Sequence, residues 1–373
     1  MKIGFIDTYS NSLGGAPKSM LALMSGIKES YNCELITLRK GTVSEKCASL
    51  GFNTIISHGS SFLTESRKYK KNLFLFTYYL ICHWISSFRK LNKTNYDVIY
   101  INEPRAFLYY FPFILFNSGK TIYYTRINTR IPIVNSLILI LVKKLILISK
   151  DTKNAYNSVL FNIFKYKATV LNTGFDFLSG EVRATLNDKI LVCNVGTLCK
   201  RKNQLMLLES IAKLRKMNNK LDFEVHLFAE YDTRDAYTRN LINFVESNNL
   251  TDVVFFRGYS ENIYFEISEF DVLVSSSLLE GLPRVCIEAL SQGLYVISTD
   301  IYGVSDILKN KEHGQILTHN TVDELSIKLS YCIDKKEEIS AMSARKKRSC
   351  YSKENFSMSR FTLGFTDILK GFK

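Results

Sequence analysis

Short apolar runs alternate along this chain with longer segments in which apolar residues recur every three or four positions. The first pattern predicts buried strands, and the second predicts amphipathic helices. The clearest case is residues 271–299, where DVLVS and YVIST flank a segment that starts at Pro283 and stops before Gly293. Proline favours the first helical turn, and glycine favours the position just past the last one. This stretch is therefore predicted to form one βαβ unit of a parallel sheet.

The same alternation extends over the whole chain. In the first half, strands are predicted at residues 2–7, 33–38, 54–57, 97–101, 121–124 and 145–149. In the second half, strands are predicted at residues 189–196, 221–228, 253–259, 271–275 and 295–299. Because 373 residues exceed one typical domain, we expect an α/β protein with two Rossmann-like domains. Their boundary is expected within residues 177–188, which are rich in Ser, Gly, Thr and charged residues.

The loop between the strand at 271–275 and its helix has the features of an anion-binding loop. Gly281 lets the backbone approach a ligand closely because glycine has no Cβ. Amides that open a helix have no intrahelical acceptor, so they favour a diphosphate or a developing negative charge. The residues predicted to contact the ligand in this way are Gly281, Leu282, Pro283, Arg284 and Val285.

Two carboxylates lie eight residues apart in this stretch, Glu280 in the loop and Glu288 in the helix. Glu280 is placed to reach the hydroxyls of a sugar, and Glu288 to accept two hydrogen bonds from a diol such as ribose. The structural alternative is that Arg284 and Glu288, four positions apart, form a surface helix pair of roughly a few tenths of a kcal/mol. Spacing alone leaves both interpretations open.

From Glu280 to Asp300 the sequence is E-G-L-P-R-V-x-x-E-A-L-x-x-G-x-x-V-I-x-T-D. This pattern resembles the E-x7-E signature of retaining glycosyltransferases of family four, and the resemblance runs from the first residue to about residue 305. It implies a GT-B fold, in which two facing Rossmann-like domains hold a nucleotide-sugar in the active-site cleft between them. The implied domains are an acceptor-binding domain at 1–180, a nucleotide-sugar-binding domain at 181–350, and a C-terminal helix at 351–373 that crosses back to the first domain.

The resemblance also assigns roles to a basic turn after the strand at 189–196. Lys202 matches the family's phosphate-binding lysine and, with Glu280, forms the predicted catalytic pair. Thr197 stands where the family has an arginine, so Arg201 is expected to supply the missing phosphate contact. Without the resemblance, the cations of this turn are equally well explained as a solvated loop.

Three further residues are assigned to the donor side by the same resemblance. Gly196 ends the strand that precedes the basic turn, and Gly258 and Tyr259 follow a strand end expected beside the nucleobase. The ring of Tyr259 is expected either to stack on the base or to pack against the protein.

The first domain offers polar residues just past its strand ends. A glycine pair before a helix forms a phosphate nest or, alternatively, only a flexible turn. The other polar residues serve the acceptor or, alternatively, cap loops and helices. The family's histidine after the strand at 121–124 is replaced here, so no catalytic histidine is assigned. Gly15 is predicted to face the donor phosphates, and the predicted acceptor-side residues are Gly14, Asn102, Glu103 and Arg126.

Charge divides the two halves of the chain. The net charge is +14, and residues 1–180 contain 23 Lys and Arg against 9 Asp and Glu, which accounts for all of it. The basic residues are interleaved with apolar runs at 72–88 and 131–149, a combination that favours an anionic membrane surface over nucleic acid. The alternative is that both runs are ordinary buried helices. The second basic run, Arg345–Arg348, is interpreted as a solvated helix end.

The resemblance implies a retaining hexosyltransferase of class EC 2.4. It moves a sugar from a nucleotide diphosphate sugar to a hydroxyl of a saccharide or polyprenyl-diphosphate-linked acceptor, with no cofactor and no metal. The implied setting is bacterial surface polysaccharide synthesis (O-antigen, capsule or lipopolysaccharide), in the cytoplasm or peripherally on the inner face of its membrane. The alternatives are a nucleotide-sugar epimerase or hydrolase of the same fold, and a non-enzymatic binder of anionic membranes.

Overall fold

The computed structural model describes residues 1–8, 14–64, 72–127, 130–177, 182–184, 188–217 and 222–372. Its contacts divide the chain into two compact units. The first unit comprises Met1–Phe175 together with Met358–Lys373, and the second comprises Asp176–Ser357. The expected boundary at 177–188 falls partly on residues outside the described ranges.

The first unit is built on a parallel sheet with strand order β3-β2-β1-β4-β5-β6-β7. Every predicted strand of this half is present, with ends that differ by one or two residues. The last strand was not predicted, because it has three residues and two of them are exposed. Within the described residues the strands are β1 Lys2–Ile6, β2 Asn32–Thr37, β3 Asn53–Ile56, β4 Val98–Ile101, β5 Thr121–Thr125, β6 Lys144–Leu147 and β7 Ala168–Val170.

Helices cover the sheet of the first unit and bury its apolar side chains, as parallel sheets require. Short 3₁₀ turns at Ser118–Lys120, Lys150–Ala155 and Lys165–Lys167 complete the connections. In the described part of this unit the helices before residue 170 are α1 Gly15–Ile27, α2 Thr42–Ser49, α3 Ser61–Thr64, α4 Leu73–Leu91, α5 Pro104–Tyr109, α6 Phe111–Phe116, α7 Pro132–Leu141 and α8 Ser158–Phe164.

The second unit repeats the plan with strand order β10-β9-β8-β11-β12-β13. Gly314 begins the last strand and adopts φ 156°. The strands in the described part of this unit are β8 Ile190–Val195, β9 Phe223–Phe228, β10 Val254–Gly258, β11 Val272–Ser275, β12 Tyr295–Ser298 and β13 Gly314–Ile316.

The helices of the second unit pack against both faces of this sheet, and the predicted α/β class is confirmed for both units. A 3₁₀ turn at Ile267–Glu269 precedes β11. Its described helices are α9 Gln204–Met217, α10 Ala236–Ser247, α11 Ile263–Glu266, α12 Arg284–Ser291, α13 Val304–Ile307, α14 Val322–Asp334, α15 Lys336–Ser340 and α16 Met342–Phe356.

The last helix, α17 (Met358–Lys370), belongs to the first unit. Its buried side chains Phe361 and Phe365 lie against aromatic residues of that unit's sheet. The ring centroid of Phe365 is 5.8 Å from that of Tyr100, and the centroid of Phe361 is 6.2 Å from that of Tyr124. The amphipathic pattern at the end of the chain therefore serves the core of the N-terminal unit.

Two predicted helix starts differ slightly from the structure. Helix α1 begins at Gly15, before Pro17, which is tolerated because the amides of the first turn have no intrahelical acceptor. Helix α12 begins at Arg284, and Pro283 occupies the N-cap position instead of the first helical one. Gly293 adopts φ 84° just past the helix, as predicted for a C-terminal glycine.

The apolar run at 72–88 lies almost entirely in helix α4, whereas the run at 131–149 comprises helix α7 and strand β6. Both helices have one buried and one exposed face. In α4 the buried side chains include Leu80 and Leu91, whereas Phe74 is 84% exposed. In α7 the side chain of Ile138 is buried and that of Ile133 is 77% exposed. No helix in the described part of the chain is long and apolar enough to cross a membrane.

The prediction that Arg345–Arg348 is a solvated helix end is wrong. Arg345 is 0% exposed and Arg348 is 2% exposed, because residues three apart lie on one helix face, which here packs into the unit. The Arg345 guanidinium donates to the carbonyls of Phe270 and Ser268, each at 2.8 Å, and lies 3.9 Å from the carboxylate of Asp271. Burial lowers the pKa of Arg345, and it lowers the pKa of Arg348 to about 10.

Candidate functional site

The carboxylate of Glu280 is held by two cations from a different loop. Its Oε1 lies 2.7 Å from the Lys202 Nζ and 3.0 Å from the Arg201 Nη1. The hydroxyl of Ser277 donates a third contact at 3.2 Å. Arg201 also donates to the carbonyl of Leu279 at 3.1 Å. The predicted catalytic pair Glu280 and Lys202 is thus one cluster, and Arg201, predicted as a phosphate contact, belongs to it.

The turn that presents Lys202 is fixed by its neighbours. Gly196 adopts φ 145°, and a Cβ there would lie 3.1 Å from the Cε of Lys202, so the lysine stem lies directly over this glycine. Asn203 takes the left-handed conformation at φ 52°, which turns the chain into α9. The hydroxyl of Ser276 donates to the Lys202 carbonyl at 3.0 Å and joins this turn to the loop after β11.

The glycine loop after β11 lies against a second glycine that was not predicted as a site residue. Gly303 adopts φ 81°, and a Cβ on it would lie 2.8 Å from the carbonyl oxygen of Gly281 and 3.1 Å from the Cδ1 of Leu282. Only glycine therefore fits both the backbone conformation and the close approach. One feature of the sequence could have indicated Gly303. It follows the second strand of the same βαβ unit, and the loops after neighbouring parallel strands lie at the same edge of the sheet.

Helix α12 begins with Arg284 and places Glu288 one turn later. The Arg284 Nη2 lies 3.8 Å from the Glu288 Oε1, which is within ion-pair range and beyond hydrogen-bond distance. The geometry is that of the surface pair weighed from the sequence. An exposed ion pair at this distance contributes little free energy, so little is lost if a ligand diol replaces it. The pair is therefore compatible with the predicted ribose contact.

A cavity of 540 Å³ opens in the second unit beyond the carboxyl ends of β8, β9 and β10. It contains the predicted residues Gly196 and Tyr259, and Tyr259 is 73% exposed, so its ring is available to a ligand and does not pack. Gly258 turns the chain just before it with φ 80°. Sequence reasoning missed the carboxylates at its edge. The lining is Val195, Gly196, Thr197, Leu198, Phe228, Ala229, Glu230, Asp232, Asp235, Thr238, Tyr259, Ser260 and Ile263.

In the first unit, predicted polar residues meet at the carboxyl ends of β1, β4 and β5. Asn102 donates through its side-chain amide to the carboxylate of Asp7, and Arg126 Nε donates to the Asn102 Oδ1 at 2.8 Å. The Oε1 of Glu103 accepts from both the amide of Thr8, at 3.0 Å, and the Thr8 hydroxyl. Asp7, Asn102, Glu103 and Arg126 are all buried, which requires such pairing.

The side chain of Glu103 does not cap a helix, which was the alternative to a role in acceptor binding. Glu103 is the N-cap residue of α5, yet its carboxylate makes no hydrogen bond to that helix. Its second oxygen lies 3.4 Å from the Arg105 Nε, without a hydrogen bond in the described structure. This carboxylate oxygen can accept a hydrogen bond from the hydroxyl of a ligand.

Arg126 is oriented by aromatic side chains. Its Nη2 donates to the Tyr100 hydroxyl at 2.8 Å, and its guanidinium lies 4.2 Å from the centroid of the Tyr124 ring. Burial raises the pKa of Tyr100 to about 12, although the nearby Arg126 opposes the rise. Tyr100 therefore stays neutral at physiological pH and holds Arg126 at the edge of the sheet.

The glycine pair of the first unit lies at the start of α1. Gly14 is the N-cap residue, with φ −66° and ψ 178°, and Gly15 is the first helical residue. Both are exposed. The five residues that precede them, 9–13, lie outside the described ranges, so the predicted phosphate nest stays a prediction.

Comparisons with known proteins bear on the second unit directly. Residues 181–349 match the family described as "Glycosyl transferases group 1". The match covers the second unit and a little under half of the chain. Within that unit it agrees with the family predicted from the Glu280–Asp300 stretch.

Individual relatives are more distant. The chain is 23% identical over 292 residues to the poly(ribitol-phosphate) alpha-N-acetylglucosaminyltransferase of Staphylococcus aureus, covering 72% of this chain and 53% of that protein. It is 29% identical over 168 residues to the UDP-Gal:alpha-D-GlcNAc-diphosphoundecaprenol alpha-1,3-galactosyltransferase of Escherichia coli, covering 42% and 43%. The matched part thus spans about half the length of these curated relatives.

The fold as a whole resembles solved glycosyltransferases. The apo structure of a lipopolysaccharide outer core galactosyltransferase superposes with a TM-score of 0.78 at 17% identity, with 100% of both chains covered. At this identity the likeness concerns the fold alone, and it confirms the predicted GT-B type of architecture.

Proposed function

We propose that this protein transfers a sugar from a nucleotide diphosphate sugar to a hydroxyl group of a saccharide or lipid-linked acceptor, with retention at the anomeric carbon. The observation that supports this most is the cluster of Glu280, Lys202 and Arg201 beside the glycine loop of a glycosyl transferases group 1 unit. A simple surface binder does not require a carboxylate held between two cations at that position.

The chemistry assigned to this cluster is the departure of a nucleoside diphosphate. The bond between the anomeric carbon and the diphosphate oxygen breaks, and negative charge grows on the leaving group. The acceptor oxygen bonds to the same carbon, and its hydroxyl proton passes to the departing diphosphate. Lys202, Arg201 and the amides that open α12 supply positive charge where it grows, and such preorganised donors are a major source of rate acceleration. The proposal therefore invokes no metal. Glu280 orients the lysine and the hydroxyls of the donor sugar.

The proposed donor is a UDP-sugar, because the Escherichia coli relative is named for UDP-Gal. Hexose transfer is proposed on the same ground. We place the cavity beyond β8, β9 and β10, with Tyr259 at its edge, at the nucleobase and Glu288 at the ribose. Since the relatives named above build cell-surface glycans, the proposed setting is bacterial surface polysaccharide synthesis at the cytoplasmic face of the membrane.

The donor site is tested by thermal shift with UDP, GDP, ADP and dTDP sugars on the full-length protein. At a ligand concentration 100 times Kd, we expect one nucleotide class to add about 2.7 kcal/mol of stability. This corresponds to a rise in Tm of roughly 5 to 10 °C for a unit of this size. In Glu288→Ala the rise should fall below about 2 °C, because the ribose loses two charge-assisted hydrogen bonds.

Glu338→Ala is the matched control, because Glu338 also forms an exposed helix pair, with the Lys335 Nζ at 3.5 Å. If both variants keep the full rise, the Arg284–Glu288 contact is only the surface pair and the ribose assignment fails. If no nucleotide sugar shifts the folded wild type, the donor site itself is refuted.

We also propose that the first unit attaches to an anionic membrane surface through α4. This helix has basic residues in its last turn, Arg89 and Lys90. It also has five exposed apolar side chains, those of Leu73, Phe74, Tyr78, Ile81 and Ile85. Apolar side chains that enter the headgroup region beside basic residues attracted to anionic lipid are the features of interfacial helices.

Sedimentation with vesicles of 30% phosphatidylglycerol in phosphatidylcholine tests this attachment. The double variant Leu73→Ser with Phe74→Ser should bind roughly 10-fold more weakly, because two exposed apolar groups no longer enter the lipid. Met217→Ser removes an equally exposed apolar side chain from the second unit and should bind like wild type. Equal binding by all three proteins, or no binding by wild type, would count against a membrane role for α4.

A further inference from the structure

A second cavity, of 680 Å³, lies in the first unit and is not explained by the residues discussed so far. It opens between the start of α7, the 3₁₀ turn that follows β6, and α8. Three of its lining residues are cations, Arg130, Lys153 and Lys165, and no Asp or Glu is among the described residues that line it. Ser136, Ser158 and Asn162 add neutral hydrogen-bond donors to the same wall.

The surrounding segment is strongly basic. Residues 126–167 contain eight Lys and Arg and one Asp, a net charge of +7, which is half of the charge of the whole protein. A positive potential focused into a concave site raises the local concentration of anions. The size of the cavity and its set of donors suit a group larger than a single phosphate.

The cavity is built into the fold and tied to the sheet edge described above. Arg130 is anchored by its Nε, which donates to the Asn154 carbonyl at 3.0 Å, so its remaining guanidinium donors keep a defined direction. Tyr156 is buried in the lining and its hydroxyl is hydrogen-bonded to the hydroxyl of Thr125, the last residue of β5. Arg126, the next residue, belongs to the polar cluster with Asn102.

Several residues next in sequence to those that line the cavity have exposed apolar side chains. Ile133 adjoins the lining residue Pro132, Ile163 adjoins Asn162, and Tyr166 adjoins Lys165, and all three side chains are more than half exposed. Helix α8, which contains Ile163, has no buried side chain. An anion-binding cavity with an exposed apolar margin is complementary to a ligand that joins a charged group to a hydrocarbon chain.

We infer that this cavity binds the diphosphate of a lipid-linked acceptor, with the lipid chain along Ile133, Ile163 and Tyr166. This inference rests on the proposed function, because it assigns the acceptor's anchoring group within it. The saccharide attached to the diphosphate then extends toward Arg126 and Glu103 at the same edge of the sheet. The proposed function assigns the donor's diphosphate to a different cluster, Lys202, Arg201 and Glu280, which belongs to the second unit.

Calorimetric titration of the full-length protein with inorganic pyrophosphate tests the anion site. To exclude binding at the donor cluster, all proteins are compared in a Lys202→Ala background at constant ionic strength. The double variant Lys153→Ser with Lys165→Ser should bind roughly 10- to 100-fold more weakly, because it loses two charge-assisted contacts. Lys40→Ser with Lys46→Ser removes the same charge from exposed positions of the same unit and should bind unchanged. Equal weakening in both double variants would mean general charge attraction and would overturn the site.

Farnesyl diphosphate in place of pyrophosphate tests the lipid part. We expect it to bind at least about 10-fold more tightly than pyrophosphate, because its chain buries apolar surface. The double variant Ile133→Ser with Ile163→Ser should abolish this gain and leave pyrophosphate affinity unchanged. Equal affinity for pyrophosphate and farnesyl diphosphate would contradict the proposed binding of the lipid chain beside the cavity.

Two further arms separate this inference from its rivals. If the lysine variant keeps diphosphate affinity but loses binding to phosphatidylglycerol vesicles, the cavity recognises bilayer headgroups and the inference is overturned. If pyrophosphate and farnesyl diphosphate bind as expected but no nucleotide sugar binds the second unit, the proposed transferase activity fails while the anion site stands. Circular dichroism of each variant confirms that it is folded.

Discussion

A Lys202→Ala variant should turn over its donor about 10²- to 10³-fold more slowly than wild type, with the loss in kcat. The Lys202 Nζ lies 2.7 Å from Glu280 and its stem lies over Gly196, so its position is fixed before substrate arrives. A positioned cation of this kind acts on the charge that develops as the diphosphate leaves. Its removal therefore affects the transition state more than the bound donor.

The measurement is steady-state sugar transfer or, until the acceptor is known, slow hydrolysis of the nucleotide sugar identified by thermal shift. Lys200→Ala is the matched control, since Lys200 is exposed in the same turn and has no contact with Glu280 in the described structure. Lys202→Arg should retain part of the rate, because the charge is kept at a displaced position. A change in KM alone would assign Lys202 to donor binding, and an unchanged rate would contradict the proposed role.

The sheets of both units could be predicted because their strands are buried on both faces. Such strands are continuous apolar runs, for example β4 (Val98–Ile101), in which every residue is buried. β7 escaped prediction because two of its three residues are exposed and give no apolar run. Helix starts were less certain, because proline at 17 and 283 is compatible with several positions near an N-terminus.

The glycine loop was predictable for a different reason. Its residues are contiguous, so the strand, Gly281 and the helix start can be read from one stretch. The partners of Glu280 are not contiguous with it. Arg201 lies 79 positions away, and only the sheet order, which places β8 beside β11, brings the two loops together. Spacing along a sequence contains no information about which strands are neighbours, so the contact needed either the family resemblance or the structure.

The basic run Arg345–Arg348 shows the limit of charge as a guide to burial. Four consecutive basic residues are usually solvated, and the two central ones, Lys346 and Lys347, are exposed. The outer two face inward because a helix returns to the same side every three to four residues. Nothing in the run itself shows that backbone carbonyls lie on that side, such as those of Phe270 and Ser268 for Arg345 and that of Gly293 for Arg348. Only the fold supplies these acceptors.

Replacing Arg345 by alanine should lower the free energy of unfolding of the second unit by about 3 to 5 kcal/mol. The substitution removes the donors for the carbonyls of Phe270 and Ser268 and the guanidinium that lies 3.9 Å from the fully buried carboxylate of Asp271. Asp271 keeps the amide of Leu191, at 2.9 Å, and the hydroxyl of Ser340, at 2.6 Å. Because Asp271 directly precedes β11, which leads to the glycine loop, donor affinity should fall as well.

Two measurements on the full-length protein check this prediction. Urea unfolding gives the loss of stability, and hydrogen exchange by mass spectrometry on peptides from β11 and β12 assigns it to the second unit, since two units need not unfold in one step. Lys346→Ala is the matched control: its side chain is exposed one residue away, so we expect a change within about 0.5 kcal/mol. Faster exchange in β11 and β12, with β4 and β5 unaffected, is the expected pattern for Arg345→Ala. A loss of stability below about 1 kcal/mol would show that water or the remaining donors replace the guanidinium. In that case the buried Arg345 would not be the residue that stabilises β11 and the glycine loop after it.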